Sequence, residues 1–480
     1  MTMLLRGGYV FQLKDGSVNF QPGDIRLNGA YIDALAPRIK PLPGEEVWDV
    51  KGCLILPGLV NAHYHSYTNL LKGTTWGEPL EIWSTATVAL GGLLTDREIA
   101  VSVLLGIAEM LHAGVTSCLD HFPHLPGLAA AAKAYNQAGF RVSLAPMLSN
   151  VYEHLVVPGV AERLPRELRR NLEATPPRSV QDFREFYLAA LQEYHQPRGT
   201  IQIVVGPNAP QRASMELLEM AAELAGKYKL AIHTHLLETK WQAMIARQAG
   251  SSLVAKLNQA GLLGPKTAVA HAIWLEEKER VLLSERDSLV VHNPTSNAML
   301  GSGRAPLIAF LQDNIRVALG TDGLNCGTNH NLLETMRWAG LLARLEEPDY
   351  KLWPGVSDLW QMATINGAAA TGWEGVTGRL EPGHRADLII VSNNSLALAP
   401  ATNMPAQLIL NETRLAVRDV FIDGRPVMVQ GRILAFDEQD LRREAAEIGR
   451  NLVERSCPIL AQTAALREAY EAAYRAYYFV

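Results

Sequence analysis

Cysteine is scarce in this sequence, and no two cysteines stand in a C-x-x-C pair. Four cysteines among 480 residues are too few for a disulfide scaffold. The missing pair also excludes the usual zinc fingers, redox dithiols and the Pro-Cys-x-x-Cys motif of one group of zinc deaminases. With 48% hydrophobic and 19% charged residues, the composition is that of an ordinary globular protein.

A strong charge of either sign is also missing, since 44 Lys and Arg stand against 49 Asp and Glu, a net charge of −5. This balance of charge does not indicate a basic surface for binding nucleic acid or an anionic membrane. The longest apolar run, Ile99–Ala108, is far shorter than the roughly 20 residues of a membrane span. Arg6 and Lys14 interrupt the N-terminus too early for a secretory signal. We therefore expect a cytoplasmic protein without nucleic-acid or membrane partners.

Short strands and turns are indicated at both ends of the chain. Asn28-Gly29 and Asp423-Gly424 are each flanked by apolar residues, which is the pattern of a two-residue hairpin turn. Because strands from the two termini can pair, we predict a small β-sandwich domain built from residues 1–56 and 375–435. Residues 436–480 are predicted to form helices that pack on the rest of the chain or at a subunit interface.

Between these ends, short apolar runs alternate with helical patterns, which is typical of βα units. Eight such runs are found: Leu54–His63, Val115–Asp120, Arg141–Met147, Ile201–Gly206, Leu230–His235, Thr267–His271, Ser288–His292 and Ile315–Asp322. Eight parallel strands with intervening helices are the count of a (β/α)8 barrel. We therefore predict an α/β fold in which residues 57–374 form a TIM barrel.

Histidines gather at the ends of these runs, where a barrel carries its active site. Seven of the 13 histidines lie at five run ends: His63, His65, His121, His233, His235, His271 and His292. Residues two apart on a strand point to the same side, so His63 and His65 can both face the barrel axis. Carboxylates stand beside them at Asp120, Glu238 and Asp322.

Imidazole and carboxylate are ligands that zinc and related divalent metals prefer. Three His and one Asp could hold one ion and leave a position for a water molecule, whose pKa then falls towards neutrality. Glu238 follows His235 by three residues and could carry protons from that water to a leaving group. The residues alone do not distinguish His233 from His235 as the ligand.

In their order and spacing, the motifs resemble those of the amidohydrolase superfamily. More narrowly, they are similar to its cytosine-deaminase-like branch of adenosine-type, guanine and triazine deaminases and chlorohydrolases. The similarity covers nearly the whole chain, and it is carried by Pro57–His65, Leu70–Gly73, His233–Thr239, His292–Asn297, Gly320–Gly323 and Gly378–Leu388. Each motif is a weak signal alone, but the set is specific for the superfamily.

This resemblance implies four metal ligands: His63, His65, His235 and Asp322. It further implies that Glu238 is the proton shuttle, that His271 contacts the attacking water and the developing oxyanion, and that Asp322 also accepts a proton. The implied reaction is attack of metal-activated water on an amidine-like ring carbon, followed by loss of ammonia or an amine.

The fourth run bears on the number of metal ions. Two-metal members of the superfamily carry a modified, bridging lysine at this point, whereas here the strand end reads Gly206-Pro207-Asn208-Ala209-Pro210. We therefore expect one divalent ion per chain, Zn²⁺ in the first place and Fe²⁺ as the alternative.

Two departures from the family patterns bear on the substrate. Asn208 stands where adenosine-type relatives usually carry His, and Gly92 where they carry a ribose-binding Glu, so the pattern does not favour nucleosides. Candidates for substrate contacts come from a predicted lid, residues 66–89, and from run ends: Thr68, Trp76, Trp83, Asn208, Gln211 and Asn297. Trp76 or Trp83 could stack on a planar ring, and the amides could read ring nitrogens and carbonyls.

The sequence thus predicts a metal-dependent amidohydrolase that deaminates a small heterocycle of purine, pyrimidine, pterin or triazine type. The alternative is displacement of chloride or alkylamine from a triazine-like ring, or opening of a cyclic amide or amidine. Retention of Glu238 favours a leaving group that needs a proton, such as ammonia. A member without catalytic activity is disfavoured because the whole ligand set is present. We also expect a homodimer or larger homo-oligomer, as is common in such relatives.

Overall fold

A computed structural model describes residues 2–196, 198–412 and 416–478 of the chain. The described residues contain the following strands: β1 (Thr2–Lys14), β2 (Ser17–Asn28), β3 (Tyr31–Ala36), β4 (Glu46–Asp49), β5 (Cys53–Pro57), β6 (Leu59–Tyr64), β7 (Val115–Phe122), β8 (Arg141–Leu148), β9 (Ile201–Ile203), β10 (Gly206–Pro207), β11 (Ile232–Leu236), β12 (Thr267–His271), β13 (Leu289–His292), β14 (Val317–Leu319), β15 (Leu388–Ser392), β16 (Val417–Ile422), β17 (Arg425–Val429) and β18 (Arg432–Ile433).

The helices of the same residues are α1 (Leu80–Gly91), α2 (Asp96–His112), α3 (Leu128–Ala138), α4 (Glu153–Val156), α5 (Val160–Arg163), α6 (Arg166–Glu173), α7 (Val180–Tyr194), α8 (Met215–Tyr228), α9 (Lys240–Gln248), α10 (Leu253–Gln259), α11 (Glu277–Glu285), α12 (Pro294–Met299), α13 (Leu307–Gln312), α14 (Leu332–Glu346), α15 (Val356–Ala363), α16 (Ile365–Ala370), α17 (Met404–Leu410) and α18 (Glu438–Tyr478). The alternation of strand and helix from β6 to β14 confirms the predicted α/β fold.

Strands from both termini pair in one sheet. Its order is β18-β17-β16-β15-β5-β1-β2-β3, and β4 also pairs with β1. The two ends of the chain meet where β5 runs antiparallel to β15, with Leu56 opposite Ile389. A small β domain of both termini was predicted, and this pairing agrees with it. All nine described strands belong to a single hydrogen-bonded sheet rather than to the two separate sheets expected of a sandwich.

The central strands are parallel and form two further sheets. One joins β6, β7 and β8, with β9 and β10 beside β8, and the other has the order β11-β12-β13-β14. Two isolated parallel bridges, Val205 to Ile232 and Tyr64 to Asp322, connect the edges of these sheets. Each of the eight predicted runs contains one of these strands. The fourth run is interrupted and contains both β9 and β10.

The first predicted run contains two strands rather than one, because Gly58 separates β5 from β6. The strand β5 belongs to the sheet of the termini, whereas β6 pairs with β7. At Gly58 an added Cβ would lie 1.9 Å from Oγ1 of Thr116, so only glycine allows this close approach. The passage from one sheet to the other therefore depends on a residue without a side chain.

The helix α2 shows how local sequence and burial combine. The Thr95 hydroxyl accepts a hydrogen bond from the Glu98 amide, and the Glu98 carboxylate accepts one from the Thr95 amide, which is a capping box. Ile99, Val103 and Ile107 are buried along one face of this helix in the main hydrophobic core. The Ser102 hydroxyl of this helix donates a hydrogen bond to the Ser66 carbonyl at 2.8 Å. The helix thereby holds the segment that follows His65 against the core.

The C-terminal residues form one long helix, α18, where several helices were expected. Its last turns bury Tyr470 and Ala473 in a separate apolar cluster with Ile82 of α1, Val160 of α5 and Trp241 of α9. The tail therefore packs on the rest of its own chain. None of the helices in the described ranges combines the length and the apolarity needed to cross a membrane.

Candidate metal centre and active site

Three strands bring the four predicted metal ligands together. His63 and His65 lie at the end of β6, His235 lies on β11, and Asp322 follows β14. Oδ1 of Asp322 lies 3.5 Å from Nε2 of His63 and 3.3 Å from Nε2 of His65. Nε2 of His235 lies 3.4 Å from Nε2 of His65. These nitrogen and oxygen atoms are the donors that zinc and similar divalent ions prefer.

Two of the imidazoles are oriented by backbone carbonyls. Nδ1 of His65 lies 2.7 Å from the carbonyl oxygen of His121, and Nδ1 of His235 lies 2.7 Å from that of Asn208. A carbonyl can only accept, so in each ring the proton is on Nδ1. The Nε2 lone pairs of both rings are therefore left to face Asp322, as in metal sites whose outer contacts set the tautomer.

His63 occupies the centre of the cluster. Its Nδ1 lies 2.8 Å from Nε2 of His233, the neighbouring histidine on β11. Its buried Nε2 makes no hydrogen bond to any described residue. A buried lone pair without a partner is rare in proteins and is what a bound cation would satisfy. The structure thus places His235 beside the ligand atoms and His233 behind His63.

Burial sets the charge of the ligands. It lowers the pKa of His63 well below its ordinary value and that of His235 to about 3, so both imidazoles are neutral and can bind a metal. Burial alone would raise the pKa of Asp322, but its close approach to His63 and its attraction to the imidazoles of His65 and His271 outweigh the effect of burial. The pKa of Asp322 is held well below its usual range, and its side chain is a carboxylate.

Glu238 and Asp322 both approach the imidazole of His271. Nε2 of His271 lies 3.7 Å from Oε2 of Glu238 and 3.9 Å from Oδ2 of Asp322. Its Nδ1 lies 2.9 Å from Oδ1 of Asn297 and 3.4 Å from Nδ2 of Asn293, so two side-chain amides hold the ring in place. Burial raises the pKa of Glu238 well above its ordinary value, and the charges of Asp322 and Glu81 raise it further. The pKa values of the two carboxyls are therefore shifted in opposite directions.

The backbone is strained around these side chains. The φ angles of Leu237, His271 and Asp322 are 45°, 70° and 61°, in the left-handed region that side chains rarely adopt. Each of these residues is at or next to a predicted catalytic position. Strained backbone that the surrounding structure enforces is typical of functional sites, where it aims a side chain.

A cavity of about 700 Å³ opens above the cluster. His65, His235, Glu238, His271 and Asp322 line one part of it. Apolar residues of α9 and of the segment after β8 line another part: Leu155, Val156, Val157, Trp241 and Ile245. The cavity thus combines a polar floor with apolar walls, which is the usual construction of a small-molecule site.

The six predicted substrate-contact residues lie in different places, and only some of them line the cavity. Trp83, Asn208 and Gln211 line the cavity. Trp83 is held in place because its Nε1 donates to the Asn325 carbonyl at 3.2 Å. Asn297 contacts His271 rather than the cavity. Thr68 is buried, and its hydroxyl donates to the His65 carbonyl at 2.7 Å, so it supports a ligand instead.

Trp76 lies outside the cavity lining and is 83% exposed. The sequence suggested that the whole lid would hang over the site. Tyr67 and residues of α1 line the cavity, with Ile82 and Trp83 buried in the interior, whereas Trp76 belongs to a polar turn at the surface. Stacking of Trp76 on a substrate ring is therefore not supported by its position.

Other cavity residues were not identified from the sequence. Glu81, Glu153, Arg212 and Trp241 all line the cavity. Trp241 carried a usable signal, since it follows Glu238 by three residues. Glu153 and Arg212 carried no such signal. Glu153 begins the short helix α4 and Arg212 ends a 3-10 helix, and the two meet only in space, through a 3.0 Å ion pair.

Comparison with known proteins places the chain in a family. A model described as "Amidohydrolase family" matches residues 54–427. The 5-methylthioadenosine/S-adenosylhomocysteine deaminase of Desulforudis audaxviator is 31% identical over 460 residues, covering 95% of this chain and 100% of that protein. The 5'-deoxyadenosine deaminase of Methanothermobacter thermautotrophicus is 30% identical over 420 residues, covering 87% of this chain and 92% of that one.

Solved structures agree with this placement. An adenosine deaminase from Xanthomonas campestris with bound zinc has a TM-score of 0.81 at 27% identity, covering 95% of this chain and 98% of that one. An atrazine chlorohydrolase from Arthrobacter aurescens, complexed with zinc, has a TM-score of 0.84 at 22% identity, covering 93% and 100%. The second likeness concerns the fold alone. The chain belongs to the amidohydrolase family, as its sequence motifs predicted.

Proposed function

We propose that this protein is a metal-dependent hydrolase that removes an amino group from a small nitrogen heterocycle as ammonia. The observation that carries the proposal is the position of Glu238 and Asp322 on the two sides of His271, at 3.7 and 3.9 Å from its Nε2. The pKa of Glu238 is raised by burial and that of Asp322 is lowered by its histidine neighbours, and two carboxyls shifted in opposite directions suit the transfer of protons during hydrolysis of a carbon–nitrogen bond.

The donor set supports one divalent ion, held by His63, His65, His235 and Asp322. The unpartnered Nε2 of His63 and the neutral imidazoles fit such an ion, and no lysine follows β10 to bridge a second one. Zinc is our first choice, with Fe²⁺ as the alternative, because zinc is present in the structure of the Xanthomonas deaminase. When bound, the ion would polarise a water molecule and lower its pKa towards neutrality.

The side chains of the protein then account for the protons. Asp322, as a carboxylate, accepts a proton from the attacking water, and Glu238 delivers a proton to the leaving nitrogen. The water oxygen forms the new bond to the ring carbon while the carbon–nitrogen bond breaks. One water proton ends on the ammonia and the other on the ring nitrogen. His271 hydrogen-bonds the oxygen as negative charge develops on it, because Asn297 holds the ring in place.

The cavity supports a substrate larger than a bare ring. Its volume of about 700 Å³ lies within the range that proteins use for drug-sized ligands. The two curated relatives compared above are named as deaminases of adenine nucleosides. Although Asn208 and Gly92 depart from the adenosine-type pattern, adenine nucleosides are therefore the first substrates to test.

The proposal extends to the architecture. We infer that the strands β6 to β14 close into a (β/α)8 barrel, because the two isolated bridges join the edges of both parallel sheets. The domain division stays a prediction: residues 1–56 with 375–435, residues 57–374, and residues 436–480. Residues 1, 197, 413–415 and 479–480 of these ranges lie outside the described structure. A cytoplasmic location and a homodimer or larger assembly also stay predictions. Light scattering on the purified protein would measure the size of the assembly.

Release of ammonia from a panel of aminated heterocycles tests the function. Purified, zinc-loaded protein is assayed with adenosine, 5'-deoxyadenosine, adenine, guanine, cytosine, isocytosine, aminotriazines and pterins. We expect ammonia from at least one compound, with Glu238→Gln as the inactive control. If no compound yields ammonia while one metal ion per chain is bound, the deaminase proposal fails. Assays for chloride or alkylamine released from substituted triazines, and for ring opening, then test the alternative reaction.

A further inference from the structure

One buried carboxylate of the cavity has no part in the metal site or in the proton transfers described above. Glu81 lies in the first turn of α1, is only 7% exposed, and lines the same cavity as Glu238 and Asp322. Burial of a carboxylate is unfavourable unless its oxygens find partners. The partners of its two oxygens therefore indicate what this residue does.

The two oxygens of Glu81 differ. Oε1 accepts a hydrogen bond from the hydroxyl of Thr239, the residue after Glu238. The buried Oε2 has no hydrogen-bond partner among the described residues. Buried polar atoms are nearly always satisfied in folded proteins, and an exception at a ligand cavity points to a partner supplied by the ligand.

Glu153 provides the contrast, since it lines the same cavity with both oxygens engaged. Its Oε1 accepts a hydrogen bond from the Ser84 hydroxyl at 3.1 Å, and its Oε2 lies 3.0 Å from Nη1 of Arg212. Glu153 is therefore satisfied within the protein. Glu81, one helical turn before Ser84, is not.

We propose that Glu81 is a substrate-recognition residue whose Oε2 accepts a hydrogen bond from an O–H or N–H donor of the heterocyclic substrate. This inference rests on the proposed function and adds a residue that selects the substrate. A substrate that carries the donor completes the hydrogen bonding of the carboxylate. One without it leaves a buried oxygen unpaired, and sites of this kind discriminate strongly against such analogues.

The protonation of Glu81 agrees with an accepting role. Burial raises the pKa of Glu81 to about 6, although the Thr239 hydroxyl opposes the rise. At neutral pH the side chain is therefore mostly a carboxylate, and both oxygens accept. The cavity then holds two buried glutamates in different surroundings, because burial and the charges of Asp322 and Glu81 raise the pKa of Glu238 well above its ordinary value.

The donor on an adenine nucleoside could be a sugar hydroxyl or an N–H of the base. A sugar hydroxyl and an N–H of the base would each donate the same kind of hydrogen bond to Glu81. The two donors nevertheless predict different KM values for substrates that lack one of them. Adenosine and 2',3'-dideoxyadenosine share the base and differ in the sugar diol. Comparing them therefore separates the sugar diol from the remaining donors in one experiment.

Glu81→Gln is the decisive variant because it preserves the shape of the side chain. The Thr239 hydroxyl will hold the amide oxygen, which leaves the NH₂ group in the place of Oε2. The NH₂ group is itself a hydrogen-bond donor and then faces the donor of the substrate, so that no hydrogen bond can form between them. We expect KM for the substrate to rise on the order of 10- to 100-fold, with kcat changed only a few-fold. Glu81→Asp, which keeps the charge but draws the carboxylate back, is expected to raise KM as well.

Two matched variants separate recognition from other effects. Glu153→Gln makes the same chemical change at a cavity carboxylate whose oxygens are already engaged. Glu279→Gln makes it at a buried carboxylate of α11 that lies outside the cavity and accepts hydrogen bonds from the Ser252 hydroxyl and the Glu276 amide. Both are expected to change KM by no more than a few-fold. Metal content and thermal unfolding are measured for every variant, so that a loss of fold or of metal is seen directly.

The outcomes divide clearly. A rise in KM confined to adenosine assigns the donor to the sugar diol. An equal rise for both nucleosides assigns it to the base or the 5'-hydroxyl, and 5'-deoxyadenosine, which lacks that hydroxyl, then separates these two. The inference is overturned if Glu81→Gln leaves KM unchanged or lowers kcat alone. It is also overturned if either matched variant raises KM as much as Glu81→Gln does.

Failure of the proposed function would look different. If the native protein releases no ammonia from either nucleoside, the function fails for this class. Calorimetry with adenosine then tests Glu81 without turnover. Binding that is weakened on the order of 10-fold or more by Glu81→Gln, but not by Glu153→Gln, supports the inference. Equal binding to both variants, or no binding to the native protein, overturns it.

Discussion

Nδ1 of His63 lies 2.8 Å from Nε2 of His233. This contact explains why β11 carries two histidines on either side of Thr234. His235 presents its Nε2 to the other ligand atoms, whereas His233 contacts the back of a ligand ring and is completely buried. We expect His233 to hold His63 in the tautomer and orientation in which Nε2 is free for metal.

His233→Ala should therefore weaken metal binding without removing a ligand. Loss of such an outer contact typically lowers metal affinity on the order of 10- to 100-fold. A competition titration of zinc against a chromophoric chelator measures the change. His112→Ala, at the half-buried end of α2, is the control and should bind zinc like the native protein. Equal zinc affinity of the His233 variant would show that the contact is only packing.

Glu238→Gln should leave the fold and the metal content unchanged and reduce turnover by a factor on the order of 10² or more. The amide has nearly the same shape as the carboxyl, but it can neither give up nor take back a proton in the reaction. Steady-state kinetics and metal analysis on the same preparation provide the check. Full activity of this variant would remove Glu238 from the role of proton shuttle.

Asp322→Ala should lose both metal and activity. The carboxylate lies within 3.5 Å of two ligand imidazoles, and without it only neutral donors remain for a doubly charged ion. Elemental analysis after purification in zinc-containing buffer measures the occupancy, and thermal unfolding with and without chelator measures the linked stability. One tightly bound zinc per chain in this variant would contradict the proposed ligand set.

His330 should make stability depend on pH below neutrality. It is buried, with Nδ1 at 2.8 Å from Oγ1 of Thr321 and Nε2 at 3.0 Å from Oδ1 of Asn69, and burial lowers its pKa to about 4. Since the unfolded chain binds this proton near pH 6.5, its contribution is fully present above pH 6.5. It is lost as the pH falls to 4, by about 3 kcal/mol.

Urea unfolding of the native protein and of His330→Gln at pH 7 and pH 5 tests this expectation. The difference in the free energy of unfolding between the two pH values should be smaller in the variant. The same pH dependence in the native protein and in His330→Gln would place the effect elsewhere.

Much of the site follows from local patterns. The apolar runs predicted the strands because buried parallel strands are continuous in hydrophobicity, and the histidines marked their ends. The first run was the exception. It was interpreted as one strand, but Gly58 divides it between two sheets, because a side chain there would collide with Thr116, a residue that only the fold brings near.

The lid shows the limit of such patterns. Trp76 and Trp83 are both aromatic and only seven residues apart, yet one is exposed and the other lines the cavity. The difference lies in which of them packs into the interior, where Trp83 lies in an apolar cluster with Leu300 and Cys326. No periodicity within residues 66–89 contains that information.

By itself, the sequence determined the family, the α/β order of the chain and the residue types that meet at the ends of parallel strands. These follow from local periodicity, and the parallel order brings all strand ends to one side. Only the tertiary structure showed that Nε2 of His235 lies beside Nε2 of His65 while His233 contacts His63. It also decided that Glu81 meets Thr239 across 158 positions of the chain. The reason is physical, since side-chain direction and long-range approach depend on how whole elements pack against each other.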